Sequence, residues 1–373
     1  MPARTPIGHF VSRSFLIIAT LLLTGCSLVT DLVLLRYRDD AAILNYNYAL
    51  GENYIEVDGM TLCYQEFSPN DNAANNADAE PQSQAARLIS QADNRARNNS
   101  PSTGESLRAA TSTDTILLLH GVGTSSDFWQ LNIPAFARHY RVLALDLPGF
   151  GNSDKPDVSY ELTWLCEKIV AFLDAKQVER AHVLGASMGG HLSLMLAMDY
   201  PDRFTTLTMV GSCGAWEPPT PLLDWAFNTF WNEYIVTDHL RRTWPDTFNR
   251  IFLVKNQITD RIFRYQMALR ADAALFRKEG RASTRALRSI FYSSRRNRLH
   301  EVDLPVLLIF GAGDFVHPPK DGEYLHEHIP DSTLYIVENA NHEVMADRPD
   351  FFNETVLNFI AEHEGRNTVR GGS

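Results

Sequence analysis

One short stretch constrains this chain more than any other. A strand-like run at 182–184 passes through Gly185-Ala186-Ser187-Met188-Gly189 into a helical pattern reaching Met198. A Gly-x-Ser-x-Gly pentapeptide alone carries little weight. Between a strand and a helix it predicts a sharp turn that lifts one serine above the end of a sheet. Small residues on both sides let the backbone turn and hold the serine in a strained conformation. A helix opening at Met188 adds the positive end of its dipole and a free N–H beside the hydroxyl. The competing reading, a serine in a purely structural turn, does not need the flanking strand and helix.

The rest of the chain supplies a sheet for that turn. Strand patterns at 116–119, 142–145, 182–184, 206–210, 306–310 and 334–337 alternate with helical ones around 128–137, 162–175, 188–198 and beyond Pro349. Such alternation predicts an α/β fold with a mostly parallel sheet covered on both faces. Ahead of it, 54–57 and 60–67 flank Asp58-Gly59, a hairpin signal. Residues 68–113 are rich in Asn, Ala, Ser, Asp and Gln and hold no aromatic residue, which predicts a disordered insertion. Residues 214–301 break the rhythm with aromatic and basic residues in helical patterns, punctuated by Pro218, Pro219, Pro221 and Pro245. They read as a helical cap inserted after the strand at 206–210.

A serine hydroxyl needs a base to act as a nucleophile near neutral pH. His342 follows the last strand pattern and precedes a helix, which suits a base reaching toward Ser187. His317 shares a loop with Asp314, and His326 and His328 fall on a surface-helix pattern. The base in turn needs an acid to fix its tautomer. Asp314 directly follows Gly311-Ala312-Gly313 at a strand end, and the order Ser…Asp…His favours it. Glu217 and Asp224 are the alternatives, and a helix-capping aspartate is the bland reading of Asp314. Oxyanion donors would be the backbone N–H groups of Met188 and of Val122 in His120-Gly121-Val122-Gly123. His120 reads as a brace for that loop, and the 146–151 turn as scaffold. Cys63, Cys166 and Cys213 read as small buried hydrophobes. No metal-ligand cluster or nucleotide motif implies a cofactor. The formal charge of −11 excludes a nucleic-acid partner, which needs a basic face.

His120-Gly121, the 146–151 loop, the Ser187 elbow, Asp314 and His342 together resemble the α/β-hydrolase superfamily over 53–364, the insertion excluded. Within it the chain looks like the monoacylglycerol lipase and carboxylesterase branch. The resemblance implies a mixed eight-stranded sheet, its second strand antiparallel to the rest, with a Ser-His-Asp triad at the strand ends under the cap. Asn341 stands where Gly is frequent, and Val122 where lipases have Gly. Serine excludes the related haloalkane dehalogenase and epoxide hydrolase branches, which use aspartate there. The expected activity is cleavage of small-molecule carboxylic esters through an acyl-enzyme, with medium-chain or longer acyl groups such as monoacylglycerols. The cap residues Trp216, Leu222, Leu223, Trp225, Phe227, Phe230 and Trp231 are the expected source of the acyl lining. A C–C hydrolase, amidase, aminopeptidase or cofactor-free perhydrolase would use the same triad. An inactive binding lipoprotein is the reading from a different class.

The N-terminus reads as an address. Arg4 and Arg13 precede an apolar run at 15–23, the layout of a secretory signal. Leu23-Thr24-Gly25-Cys26 then resembles a bacterial lipobox. This implies a signal peptide over 1–25, a lipid on Cys26, a tether over 26–52, and attachment to a membrane of the cell envelope. Ser27 after the cysteine points to the outer membrane by the same resemblance. An uncleaved anchor over 15–35 is the alternative. Residues 365–373 are a tail.

Overall fold

The computed structural model describes residues 50–69, 114–214, 224–225 and 233–364. The expected signal peptide, Cys26 and its lipid, most of the tether, nearly all of the 68–113 insertion, Glu217 and the C-terminal tail lie outside the described residues.

Eight strands form one sheet in the order β1-β2-β4-β3-β5-β6-β7-β8. They are β1 Asn53–Val57, β2 Met60–Phe67, β3 Thr115–Leu119, β4 Arg141–Leu145, β5 Ala181–Ala186, β6 Phe204–Val210, β7 Val306–Gly311 and β8 Ser332–Val337. β2 runs antiparallel to β1 and β4, and every pair from β4 to β8 is parallel. The hairpin turns at Asp58-Gly59, both at positive φ. All five residues of β3 are buried, as expected of a parallel strand covered on both faces. Its alternate side chains serve two cores. Leu117 and Leu119 pack with α1 (Leu162–Ala175), α2 (Met188–Asp199) and α6 (Pro319–His328), whereas Ile116 and Leu118 face α7 (Pro349–Glu364). In α1 the buried Leu162, Leu165, Cys166, Ile169, Phe172 and Leu173 make one stripe, since positions three and four apart share a helix face.

The helix expected around 128–137 is instead two short pieces, a 3-10 turn Ser126–Trp129 and a single helical turn Ile133–Phe136. Pro134 favours the first turn of a new helix over the interior of a longer one. Tertiary bonds also hold the break: Ser126 N donates to Asp146 Oδ1 at 2.7 Å, and Asn132 Nδ2 donates to Met345 O at 3.0 Å.

Between β6 and β7 lie the helices α3 (Glu233–Ile251), α4 (Gln257–Ala271) and α5 (Ala273–Tyr292). α4 opens with a capping box in which Asn256 Oδ1 accepts from Ile258 N and Thr259 N, while Asn256 N donates to Thr259 Oγ1. α5 is tied to the rest of the fold at two places. Arg281 and Arg285 both pair with Asp157, and Ser289 Oγ accepts from Leu162 N at the start of α1. Phe248, Ile251, Phe252 and Ile262 of the α3–α4 region pack with Phe128 and Ala346 into a separate apolar cluster. Of the cap residues expected to supply apolar lining, only Trp225 is described, and it is 59% exposed.

Candidate active site

β5 ends in the expected turn. Ser187 has φ 53° and ψ −116°, a strained conformation for a residue with a Cβ. Ser187 N donates to Val210 O at 2.9 Å, and α2 begins at the next residue. The glycines around it are required by close backbone approach. A Cβ on Gly189 would come within 2.2 Å of Leu119 O, and one on Gly185 within 2.2 Å of Gly189 O. The elbow therefore lies directly against the end of β3, so the loop after β3 meets the serine. A Cβ on Gly121 would lie 3.3 Å from Ser187 Cβ and 3.8 Å from its Oγ. Ser187 itself is half-buried among buried neighbours.

The residues predicted as acid and base also meet here. His342 Nδ1 donates to Asp314 Oδ2 at 2.8 Å, and both side chains are buried. Asp314 Oδ1 accepts from Val316 N at 2.8 Å and His317 N at 2.9 Å, so the carboxylate organises its own loop as well. The capping role and the pairing role coexist, one oxygen each. Gly211, just past β6, marks where the parts converge: a Cβ there would lie 2.8 Å from His342 O, 3.0 Å from Asp314 Oδ2 and 3.1 Å from His342 Nδ1. Val210, one residue earlier, holds Ser187 N. Burial opposes charge on both groups, but each outweighs that for the other. The Asp314 carboxyl lies below its ordinary range and the His342 imidazole above its own.

Asp224, the described alternative acid, accepts from the Tyr292 hydroxyl at 2.8 Å instead. His326 and His328 are exposed on α6. Of the predicted oxyanion donors, Met188 N is the first N–H of α2, where helix geometry leaves donors free, and Val122 N follows Gly121. Among the described residues neither donates to a protein acceptor. His120 is a brace: its Nε2 accepts from Leu147 N at 3.0 Å, joining the loop after β3 to the one after β4.

Several features around the candidate site carried no sequence signal. Asn341, the departure from glycine, donates from Nδ2 to Arg250 O at 2.8 Å, and Asp347 Oδ2 accepts from Asn341 N at 2.8 Å. Asp347 Oδ1 accepts from Leu253 N and Val254 N, each at 2.8 Å. The loop bearing His342 is thus bolted to the end of α3. Glu343 is buried beside His342, and burial pushes its carboxyl up to about 7. Cys213 is free and buried, as expected, but it is not a bland hydrophobe. Its Sγ lies 3.4 Å from His191 Nδ1. Burial would push the thiol up, yet His191 and His317 pull it below its ordinary value.

The comparisons with known proteins agree with this architecture. A family model described as the alpha/beta hydrolase fold matches residues 114–349, and the chain belongs to that family. It is 29% identical over 258 residues to a pimeloyl-acyl-carrier-protein methyl ester esterase of Aeromonas hydrophila, covering 66% of this chain and 94% of that protein. It is 30% identical over 259 residues to a 2-hydroxymuconate semialdehyde hydrolase of a Pseudomonas species, covering 66% and 87%. Among solved structures, a membrane phospholipase A described as a bacterial virulence factor shares the fold, with a TM-score of 0.62 and 22% identity over 95% of this chain and 96% of that one.

Proposed function

We propose that this hydrolase cleaves carboxylic esters by nucleophilic catalysis, with Ser187 as nucleophile, His342 as general base and Asp314 as its orienting acid. The observation that carries the reading is the convergence at Gly211. Ser187, strained at a strand–helix elbow, is held by Val210 O, and the histidine bonded to a buried aspartate at 2.8 Å packs at the next residue, Gly211. His342 takes the Ser187 proton as the hydroxyl attacks the ester carbonyl. Asp314 holds the imidazole in the right tautomer and stabilises the imidazolium. The Met188 and Val122 N–H groups receive the developing oxyanion. Collapse expels the alcohol, which takes the proton from His342, and water then cleaves the acyl-enzyme by the same route. Removing a single oxyanion donor costs about 3–4 kcal/mol in such sites, so the donors carry a large share of the rate.

The proposed substrates are medium-chain or longer acyl esters, such as monoacylglycerols. Support comes from the apolar cluster of Phe128, Phe248, Phe252 and Ala346, which joins the cap to the loops after β3 and β8. The esterase of Aeromonas hydrophila also acts on an acyl ester. The proposed setting is a bacterial envelope membrane, the outer one by the Ser27 criterion, reached through a lipid on Cys26. A second reading, carbon–carbon bond hydrolysis with the same groups, draws on the similarity to the semialdehyde hydrolase.

The deciding experiment measures kcat/KM across p-nitrophenyl esters from acetate to palmitate, a monoacylglycerol and a vinylogous diketo acid. Rising activity to medium chain length supports the lipid-ester reading. A steep preference for acetate removes it, and cleavage of the diketo acid alone installs the second reading. Fluorophosphonate labelling at Ser187 tests the nucleophile. Labelling with a palmitate analogue tests the address: Cys26→Ala should lose the label, and equal labelling of both proteins would remove the anchor.

A further inference from the structure

The cap buries a cation that has no contact ion pair among the described residues, although the buried Glu279 lies near enough to favour its charge. Arg270, near the end of α4, is 1% exposed. Its Nη1 donates to the backbone O and the side-chain Oε1 of Gln266, and its Nη2 makes a long 3.4 Å contact to Gly123 O. All of these acceptors are neutral. Its guanidinium lies over the Trp244 and Phe276 rings at 4.5 and 4.9 Å, and its Nε has no partner. Among the described residues no carboxylate stands within 4 Å of it. A buried guanidinium ordinarily has an ionic partner, because desolvation is severe without one.

The groups around Arg270 are unsatisfied in a matching way. Ser283 Oγ and Glu279 Oε1 on α5 are buried and have no hydrogen-bond partner. They stand one helical turn apart, on one face of the helix. A Cβ on Gly123 would meet Arg270 Nη2 at 3.4 Å, Ser283 Oγ at 3.5 Å and the Trp244 ring at 3.6 Å, so α4 and α5 bring these groups to one point of the loop after β3. Burial raises the Glu279 carboxyl above its ordinary value, while Lys155 and Arg270 pull it back. Asp146 is the other charged group felt at Glu279. Asp146 is held by Ser126 N and Asn152 N, and Lys155 by Gly151 O and Ser153 O. The unused donors are therefore the Arg270 Nε–H and the Ser283 hydroxyl, a cation and a hydroxyl suited to an anion, with the Glu279 carboxyl beside them.

Building on the ester-hydrolase reading, we propose that Arg270 and Ser283, with Glu279 beside them, form an anion subsite, so that the preferred ester carries a negatively charged carboxylate or phosphate group away from the scissile bond. Gly123 is two residues from Gly121, which touches Ser187, and two residues span at most ~7 Å. The anion accordingly lies several carbons from the reacting carbonyl. It could enter on the acyl side, as the free end of a dicarboxylic half-ester, or on the alcohol side, as the phosphate of a lysophosphatidic acid.

The test compares each charged ester with its neutral counterpart on the wild-type protein. Methyl hydrogen succinate, adipate and suberate are set against methyl butyrate, hexanoate and octanoate for the acyl side. A lysophosphatidic acid is set against the monoacylglycerol of the same chain for the alcohol side. A charge-assisted bond of this kind should favour the charged member of one series in kcat/KM by about tenfold or more. Arg270→Gln should bring that ratio to near one, and Arg270→Lys should restore part of it. The ratio, not either rate, is the readout, so a partly unfolded variant still reports. Wild-type ratios near one in both series would overturn the subsite while leaving ester hydrolysis standing. If no ester is turned over, the ester reading fails by itself. Calorimetry of suberate half-ester against methyl octanoate on Ser187→Ala then decides the subsite: tighter binding of the charged ligand supports it, and equal binding overturns it.

Discussion

Three glycines next to the candidate site are closed in by backbone, whereas the cap glycine is closed in by side chains. A Cβ on Gly185 or Gly189 would run into carbonyl oxygens, and one on Gly311 would come within 2.1 Å of Asn341 O. In the cap, a Cβ on Gly280 would meet the Phe276 ring at 2.5 Å and Thr237 Cγ2 at 2.7 Å, both side-chain atoms. The interiors differ in the same sense. β3, β5 and β7 are buried along their whole length and mostly apolar, whereas the cap buries Gln266, Arg270, Glu279, Ser283 and Thr284. Backbone contacts cannot give way, so the sheet holds the candidate site to a fixed geometry. Side-chain contacts can be exchanged one at a time, so the cap is where selectivity can be altered without losing the fold.

Substitutions that remove the proposed reacting groups should give the largest effect. Ser187→Ala and His342→Ala should each lower kcat by a factor on the order of 10⁴ or more, because such groups act as a unit. Circular dichroism should be unchanged. A Ser187→Ala protein keeping a tenth of the wild-type rate would show that another residue is the nucleophile.

Next in size comes the contrast between backbone and side-chain packing. Gly189→Ala should destabilise by about 3 kcal/mol or more in urea unfolding, because Leu119 O cannot move without breaking β3 from its neighbours. Gly280→Ala lies inside α5, where alanine gains up to about 1 kcal/mol over glycine, and its clashes fall on side-chain atoms, which can shift more readily than a strand carbonyl. Its net change should stay within about 1 kcal/mol. Equal losses for the two would erase the distinction drawn between the two regions.

The pH behaviour should be offset between stability and activity. His342 is raised in the folded state, so its pairing contributes fully below the ordinary imidazole value of about 6.5 and is lost as pH climbs through the raised value. Asp314 is lowered, so its share is present above about pH 4 and lost as pH falls through the lowered value. The pair therefore stabilises most between about pH 4 and 6.5. The proposed mechanism needs neutral His342, so activity should rise only above pH 6.5 or so. Glu343→Gln removes a carboxylate that favours the imidazolium, so the acidic limb of kcat/KM should move to lower pH. A shift to higher pH would contradict the placement of that charge.

Deleting residues 70–112 should have the smallest effect. Phe67 pairs with Val142 and Thr115 with Arg141, so both junctions sit at the start of β4, the end of the sheet opposite Ser187. The deletion protein should keep kcat/KM within about twofold, the size of an ordinary distant change. A large fall with normal melting behaviour would bring the insertion into the site.

What the sequence by itself determined was local. The elbow at Ser187, the strand-end positions of Asp314 and His342, and the alternation that yields a parallel sheet are all written in short windows of turn residues and apolar periodicity. The helix expected near 128–137 failed because Asp146 and Met345, distant in sequence, hold that segment broken. Only the tertiary structure decided which polar groups meet inside. Asn341 reaches Arg250 across 91 positions, and Arg270 reaches Gly123 across 147. Cys213, read as a small hydrophobe, finds His191 on the helix behind it. Such pairs have no periodicity along the chain. Their cost and their use come from burial, and burial is settled only when the cap closes on the sheet.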